Sequence, residues 1–284
     1  MNIQEKVKKT LKKAGIKKKD KIVVALSGGK DSSVAAYLLK KIGYKNIQGF
    51  HINLNIGKYS EECLERVVEL SQLLDIELKV YDMKKEMGSG MCYLRSGIQS
   101  KSKNEIKNCA ICGVIKKWIL NREVRKLKED YIATGHNLDD EAQTFLMNIF
   151  KGSPQLSANL GPKSRNIPKD KKKSKFIPRV KPLFYIPEDE IRKYSKSKKL
   201  PVVYEGCPCA LDSYRIQIRS FLENISNKDK KNIVKNFEKL LPRIQKTKDP
   251  RMEYCDVCGE PSRGRICKKC RLMKIRERND FNKK

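Results

Sequence analysis

Ser27-Gly28-Gly29-Lys30-Asp31-Ser32 decides how the rest of the chain is read. The apolar run Ile22-Val23-Val24-Ala25-Leu26 enters it, and the amphipathic run Ser33-Val34-Ala35-Ala36-Tyr37-Leu38-Leu39 leaves it. That order predicts a buried strand, a sharp glycine turn and a helix N-terminus. Paired glycines let the backbone approach a ligand closely and take up positive φ where a turn demands it. The helix start then aims free N–H groups and the positive end of its dipole at the turn, which suits a phosphate. The spacing is neither that of a G-x-x-x-x-G-K-[ST] loop nor the G-x-G-x-x-G dinucleotide fingerprint. A plain turn capped by Asp or Ser explains less, because strand, glycines, acid and serines all fall in register.

Outward from this stretch the same unit recurs. Ile47-Gln48-Gly49-Phe50-His51-Ile52 reads as a second strand, about 61–74 as a helix with Leu64, Val67, Val68 and Leu74 on one face, and Ile76-Glu77-Leu78-Lys79-Val80 as a third strand. Strands alternating with helices at this pitch mean βαβ units: an α/β fold, with a parallel sheet and helices on both faces. Ligands of such sheets bind beyond the carboxyl ends of the strands. The first strand ends at the glycine loop and the second near His51 and Ile52, so His51 is expected to border the ligand, with its backbone at the adenine edge.

Residues 82–108 read as loop, and a helix is expected after Cys109-Ala110-Ile111-Cys112, through Lys116, Trp118, Ile119 and Val124. Tyr131-Ile132-Ala133 is a fourth strand, running into Thr134-Gly135-His136-Asn137-Leu138-Asp139-Asp140-Glu141. This second strand-to-helix junction has the form of the first, and both belong at the same edge of the sheet. One of Asp139 and Asp140 suits a helix cap, while two acids facing a triphosphate suit a Mg²⁺ or ribose contact. His136 is open to a catalytic or a structural role.

The stretch 151–175 breaks the pattern with Gly152, Pro154, Gly161, Pro162 and Pro168 and a basic run at 169–175. Arg179-Val180-Lys181-Pro182-Leu183 reads as a short strand, and Pro187-Glu188-Asp189-Glu190 opens a helix. Extended Pro201-Val202-Val203-Tyr204 delivers Gly206-Cys207-Pro208-Cys209, and basic helices follow around 211–225 and 228–246. In the tail, Cys255-x2-Cys258-x8-Cys267-x2-Cys270 has the spacing of a tetrahedral S₄ zinc site, the staple that a stretch too short for a core needs.

Composition narrows the partner. The 284 residues hold 64 Lys and Arg against 33 Asp and Glu, a net charge of +31, which argues for a polyanion, nucleic acid before membrane. A lysine-rich genome or a thermophilic origin would account for part of the excess. A signal peptide and a membrane-length apolar run are both missing, so a cytosolic protein without membrane partners is expected. Ten cysteines in a reducing compartment then read as metal or redox chemistry. Cys63 suits a core face and Cys92 carries no role. Cys109 and Cys112 stand one helical turn apart, and with one of Cys207 and Cys209 they fit a redox pair that handles sulfur, a three-cysteine iron–sulfur cluster, or a three-cysteine zinc. Lys116 falls on the same helix face as Cys112.

SGGKDS at 27–32, TGHNLDDEAQ at 134–143 and the CxxCGxxxK stretch between them resemble the tRNA thiolases of the TtcA/TtuA family, PP-loop ATP pyrophosphatases. The zinc knuckle points to the branch that makes 2-thiouridine. The resemblance implies ATP on Ala25, Leu26, Ser27, Gly28, Gly29, Asp31, Ser32, His51, Gly135 and Asp140, with Mg²⁺, and Asp31 and Lys116 as catalytic residues. It implies a 4Fe–4S cluster on Cys109, Cys112 and Cys207, with Cys209 an open alternative for the third, and Zn²⁺ on Cys255, Cys258, Cys267 and Cys270. It further implies tRNA as partner, uridine 34 or 54 as target, sulfur from a ubiquitin-like carrier or free sulfide, and a homodimer. Family members usually carry a second, N-terminal zinc site; this sequence starts directly on a lysine-rich helix. The expected organisation is a basic helix at 1–20, a catalytic domain at 21–205, a helical tRNA-binding extension at 206–248 and a zinc module at 249–284. Two rivals share parts of the pattern. Another PP-loop tRNA enzyme, of 2-thiocytidine or lysidine type, shares the loop, and a non-catalytic RNA-binding protein shares the basic helices and zinc knob.

Overall fold

The computed structural model describes residues 2–164, 175–210, 214–246 and 253–277. Most of the basic run at 169–175 lies outside the described residues, as does everything after residue 277.

Asn2 caps the opening helix, α1 (Ile3–Lys13), by accepting the Glu5 N–H at 2.9 Å. Then come β1 (Ile22–Leu26), α2 (Lys30–Lys41), β2 (Ile47–Asn53), α3 (Lys58–Leu74) and β3 (Leu78–Asp82). Next are α4 (Met83–Met87), α5 (Met91–Gln99), α6 (Asn108–Lys126), β4 (Tyr131–Ala133), α7 (Leu138–Phe150), β5 (Arg179–Val180) and α8 (Glu188–Ser197). The five strands form one parallel sheet in the order β3-β2-β1-β4-β5. The order reverses between β1 and β4, which opens a crevice beyond their carboxyl ends.

Strand alternation sorts the core into two layers. Ile22, Val24 and Leu26 of β1 pack with α1, α2, α3 and α8 on one face. Val23 turns to the other face and joins Phe50, Tyr81, Ile132 and the buried sides of α5 and α6. Helix α1 puts Ile3, Val7 and Leu11 into the first layer, and Lys6 reaches Glu190 of α8 at 2.5 Å.

The stretch 82–108 corrects the sequence reading. It is two helices and the start of a third, with Met91, Leu94 and Ile98 buried along one side of α5. Two of its three glycines mark helix ends rather than a loop: Gly88 closes α4 and Gly90 caps α5, while Gly97 lies within α5. Helix α6 also starts earlier than expected, so Cys109 and Cys112 lie inside its first turns. The third strand sits two residues later than read, and β5 stops at Val180, ahead of Pro182, which has no N–H for a ladder.

Beyond the sheet, α9 (Arg215–Glu223) and α10 (Asn227–Lys246) pack on α7. Ile218, Leu222 and Val234 close over Leu138 and Ala142, and the rings of Phe145 and Phe237 meet at 4.4 Å. The last unit pairs β6 (Glu253–Tyr254) with β7 (Pro261–Ser262) antiparallel and ends in α11 (Lys268–Glu277). It docks on α6, where the Arg125 guanidinium makes a two-pronged ion pair with buried Glu260 and Asn121 adds a hydrogen bond at 3.2 Å. Among the described residues no helix is long and apolar enough to cross a membrane.

Candidate active site

At the end of β1 the chain turns at Gly28, whose φ of +84° only glycine takes without strain. A side chain there would also meet the Cα and Cβ of Cys63 on α3 at 2.8 Å. The serines then stitch the loop. Ser32 Oγ accepts the Ser27 N–H at 3.1 Å and donates to the Gly29 carbonyl at 3.0 Å, and Ser33 Oγ donates to that carbonyl at 3.2 Å. Helix α2 starts at Lys30 with no side-chain cap, which leaves its amino end directed at the crevice.

The junction after β4 closes on this turn from the other side. An ideal Cβ on Gly135 would lie 2.6 Å from Ser32 N and 2.7 Å from the Asp31 carbonyl carbon, so only a glycine lets the two loops touch. Asn137 caps α7 in a reciprocal box with Asp140, at 3.0 and 3.2 Å. Asn137 also donates to Asp31 Oδ1 at 3.0 Å. Asp31 Oδ2 takes Lys30 at 2.9 Å; Lys30 reaches Glu188 at 2.7 Å, and Arg219 holds Glu188 at 2.8 Å. Burial opposes the Lys30 charge, but Asp31 and Glu188 outweigh it and raise its pKa.

Asp140 faces the crevice, and burial, followed by the nearby Asp31 charge, pushes its carboxyl up to about 6. Asp139 points away: it accepts Lys230 at 2.7 Å and the Glu188 N–H at 2.8 Å, so it braces the helical extension. His136 is exposed to solvent, with protein packed around its ring and Nδ1 2.9 Å from Thr134 Oγ1. That confinement, with Lys181, Arg215, Arg179 and Lys117 around it, lowers its pKa to about 3, so it is neutral at physiological pH. These cations make the surroundings of His136 positive, with Lys181 itself paired to Glu141 at 2.6 Å. His51 is buried at 3% exposure with Nδ1 2.9 Å from the Leu26 carbonyl oxygen, so its ring is a strut between strands.

The cysteine arm arrives by a separate route. Val203 forms a parallel bridge with Gly29, its N–H donating to the Gly28 carbonyl at 2.9 Å. Cys207 lies four residues further on, half-buried, as are Cys109 and Cys112. Burial raises the Cys207 pKa; Cys209 and Cys112 act on it electrostatically, and Lys116 pulls against the rise. Cys112, Cys207 and Lys116 thus share one neighbourhood beside the glycine loop, with Cys109 one turn before Cys112. By their chemistry, three thiols with a cation alongside are the donor set of an iron–sulfur cluster that leaves one iron open. The fourfold cysteine set of the last unit is tighter. The sulfurs of Cys255, Cys258, Cys267 and Cys270 lie within 4.8 Å of one another, and Cys258 and Cys267 are 3.7 Å apart. Tetrahedral Zn–S bonds of about 2.3 Å place sulfurs about 3.8 Å apart, so the set fits zinc. Backbone N–H groups of Cys267 and Cys270 donate to the sulfurs of Cys255 and Cys267 at 3.2 and 3.4 Å.

A family model for the PP-loop domain matches residues 1–224. A tRNA-5-methyluridine(54) 2-sulfurtransferase of Pyrococcus horikoshii is 34% identical over 98% of this chain and 86% of its own length. The cytoplasmic tRNA 2-thiolation protein 1 of Drosophila willistoni is also 34% identical, over 89% of this chain and 73% of its own. Among solved structures, the U34-tRNA thiolase NcsA of Methanococcus maripaludis, which carries a [4Fe-4S] cluster, superposes with a TM-score of 0.76 at 31% identity over 96% of this chain and 86% of that one. The chain belongs to the PP-loop tRNA thiolase family.

Within that family frame, the residues expected at the nucleotide end (Ala25 to Gly29, Asp31, Ser32, Gly135 and Asp140) come together around the switch point, while the His51 ring is turned into the sheet. Several contributors escape a reading of the sequence. Lys30, Glu188 and Arg219 form a relay that only the packing of α8 and α9 against α2 creates. Lys117 comes from α6, whereas Arg179 and Lys181 come together from the β5 stretch, and no spacing rule links the two segments. Asn137 is the most legible of these, because N-x-x-D before an apolar run is a cap signal.

Proposed function

We propose that this chain is a cytosolic, ATP-dependent tRNA 2-thiouridine synthase that activates a uridine at C2 by adenylation and replaces its oxygen with sulfur. The observation that carries the reading is the Gly29–Val203 bridge, which ties the Cys207 arm to the glycine loop and so unites a nucleotide seat and a sulfur site. ATP would lie on the loop from Ser27 to Ser33, with Ala25 and Leu26 beneath, the His51 backbone at the adenine edge, and Gly135 and Asp140 on the far side. Amide groups at the start of α2 and the cations Lys117, Arg179, Lys181 and Arg215 suit the charge that builds on the phosphates as pyrophosphate leaves. Asp31, fixed by Asn137 and Lys30, would hold Mg²⁺ or orient the reacting groups.

Cys109, Cys112 and Cys207 are the residues that would hold a 4Fe–4S cluster, and such a cluster supplies an open iron for an external sulfur ligand. Cys207 fits the third position better than Cys209, because it is the thiol coupled to Lys116 as well as to Cys112, whereas Cys209 is engaged by Cys92. Lys116 is exposed beside Cys207, able to balance the charge of an incoming sulfur nucleophile or hand a proton to the leaving AMP. The net charge of +31 suits tRNA, whose target base has to leave its stack to reach a cleft of this kind. Zinc on Cys255, Cys258, Cys267 and Cys270 would hold the basic C-terminal knob in shape. A ubiquitin-like carrier or free sulfide would supply the sulfur, and the working form would be a homodimer.

The test is anaerobic reconstitution with iron, sulfide, ATP and tRNA, with nucleoside mass spectrometry as the readout. Wild type should form 2-thiouridine and release AMP, whereas Asp31→Ala and Lys116→Ala should each lose about 100-fold or more. Full thiolation by either variant would refute its assigned role. A wild type that exchanges pyrophosphate into ATP without any 2-thiouridine would refute the reaction.

A further inference from the structure

One cluster of nucleophilic side chains remains outside the sites described. Cys92 on α5 and Cys209, 117 residues later, bring their sulfurs to 4.0 Å. Arg95, one turn beyond Cys92 and only 9% exposed, sets Nη2 at 3.3 Å from Cys92 Sγ and acts electrostatically on Cys209. Both thiols are half-buried, so a small reagent can reach them. Cys209 comes after Cys207 on the same arm, which puts the pair at the rim of the sulfur site. Closing a disulfide of about 2.05 Å requires roughly 2 Å of approach, and Cys209 sits in an irregular turn rather than in a helix or strand.

Two thiols in contact, held by one buried guanidinium beside a sulfur-transfer site, have a chemistry that a single thiol lacks. Resting on the thiolase reading, we propose that Cys92 and Cys209 are a resolving pair: they take sulfane sulfur from a persulfide donor and release it as hydrosulfide next to Cys112 and Cys207. One thiolate attacks the outer sulfur of the donor R–S–SH; the donor S–S bond breaks, R–SH leaves, and the enzyme carries Cys–S–SH. The second thiolate then attacks the cysteine-bound sulfur, forming the Cys92–Cys209 disulfide and expelling the outer sulfur as hydrosulfide. The sulfane sulfur gains two electrons, and the two thiols supply them. An external dithiol reductant returns the disulfide to two thiols for the next turnover. Arg95 touches the Cys92 sulfur, lies near that of Cys209 and balances the charge carried between the two attacks.

The test treats cluster-loaded protein with glutathione persulfide under anaerobic conditions and without reductant, then measures released sulfide and maps peptides by mass spectrometry. Wild type should release about one sulfide per chain and yield a Cys92–Cys209 cross-linked peptide. Cys92→Ser and Cys209→Ser should each lose that release and keep a persulfide on the remaining cysteine. The proposal is overturned if both variants release sulfide as wild type does, or if the cross-link forms between other cysteines. Loss of iron in Cys209→Ser would make Cys209 a cluster ligand and overturn it as well. The thiolase reading is tested separately, by 2-thiouridine formation in wild type supplied with free sulfide.

Discussion

Replacing Gly135 with alanine should separate nucleotide binding from folding. The added methyl would lie 2.6 Å from Ser32 N, 2.7 Å from the Asp31 carbonyl carbon and 2.9 Å from Ser32 Cα. Comfortable contacts lie at about 3.5–4.0 Å, so one side has to retreat by roughly 1 Å. The three atoms it meets are backbone of the first turn of α2, which is buried against β1 and α8. The short loop after β4, outside helix and strand, is therefore the side that yields. A retreat of that size stretches the Asn137–Asp31 hydrogen bond from 3.0 Å beyond bonding range. Bonds to charged groups contribute about 1.5–3 kcal/mol, and overpacking costs typically about 1–3 kcal/mol. Opening relieves the strain in the free protein, whereas nucleotide binding requires both loops closed, so most of the cost falls on affinity. We expect a loss of about 2–3 kcal/mol, or roughly 30- to 150-fold in Kd, by calorimetric titration with an ATP analogue that cannot be split between its α and β phosphates. Circular dichroism should show the fold intact, with Tm lower by a few degrees. An affinity within threefold of wild type would mean that the two loops do not close on one ligand.

The carboxyl of Asp140, raised to about 6 by burial and then by Asp31, has to shed its proton to receive a cation. Mg²⁺–nucleotide affinity should therefore fall as pH drops from 7 to 5, and Asp140→Asn should flatten that dependence; parallel curves for the two proteins would dismiss it. For stability the sign is opposite. The folded value lies above the ordinary carboxylate value of about 3.9, so this group stabilises the ligand-free protein at low pH and loses that contribution as pH rises through about 6. The Tm of Asp140→Asn should accordingly gain on that of wild type between pH 4 and 7. Arg125→Ala leaves Glu260, 5% exposed, with only Asn121. Breaking a buried pair costs about 3–5 kcal/mol, and with Arg125 a third exposed we expect roughly 2–3 kcal/mol. Trp118, the sole tryptophan, lies against the cysteine cluster with Lys269 4.4 Å above its ring, so its emission should shift red as the last unit undocks, and an unchanged spectrum and urea midpoint would count against the pair. A chelator that strips zinc should give the same red shift in wild type.

Strand alternation and the two glycine–acid junctions carry most of the architecture, because each signal is local. Ile22 to Leu26 and Tyr131 to Ala133 announce strands by composition, and the residues directly after each strand announce a helix start. The stretch 82–108 misleads for a local reason too. Gly88 and Gly90 mask the Met91–Leu94–Ile98 face, although the spacing of those three residues is helical. Sequence puts His51 at the right edge of the sheet, but whether its ring faces ligand or neighbouring strand depends on packing that sequence does not encode locally. The Lys30–Glu188–Arg219 relay and the Cys92–Cys209 contact join residues more than a hundred positions apart across three or four elements. Such contacts arise from topology, and no window of sequence contains them.

Helix α6 explains how the four-cysteine unit is tied to the Cys109–Cys112 neighbourhood rather than trailing from it. Its 19 residues form a rod of roughly 28 Å. Cys109 and Cys112 stand at its amino end, Lys116 one turn on, and Asn121 and Arg125 at the far end grip Glu260 of the zinc unit. Trp118 in the middle packs against both the second core layer and the four cysteines. Helix α11 adds contacts to α5, which carries Cys92 and Arg95. The helices that carry Cys109, Cys112 and Cys92 are thus braced by the four-cysteine unit. Undocking that unit should therefore disturb the cysteine neighbourhood as well as remove a basic surface. Arg125→Ala is the variant that distinguishes the two effects: lowered iron occupancy after reconstitution would show the brace at work, whereas weakened tRNA binding at full iron occupancy would confine the zinc unit to gripping RNA.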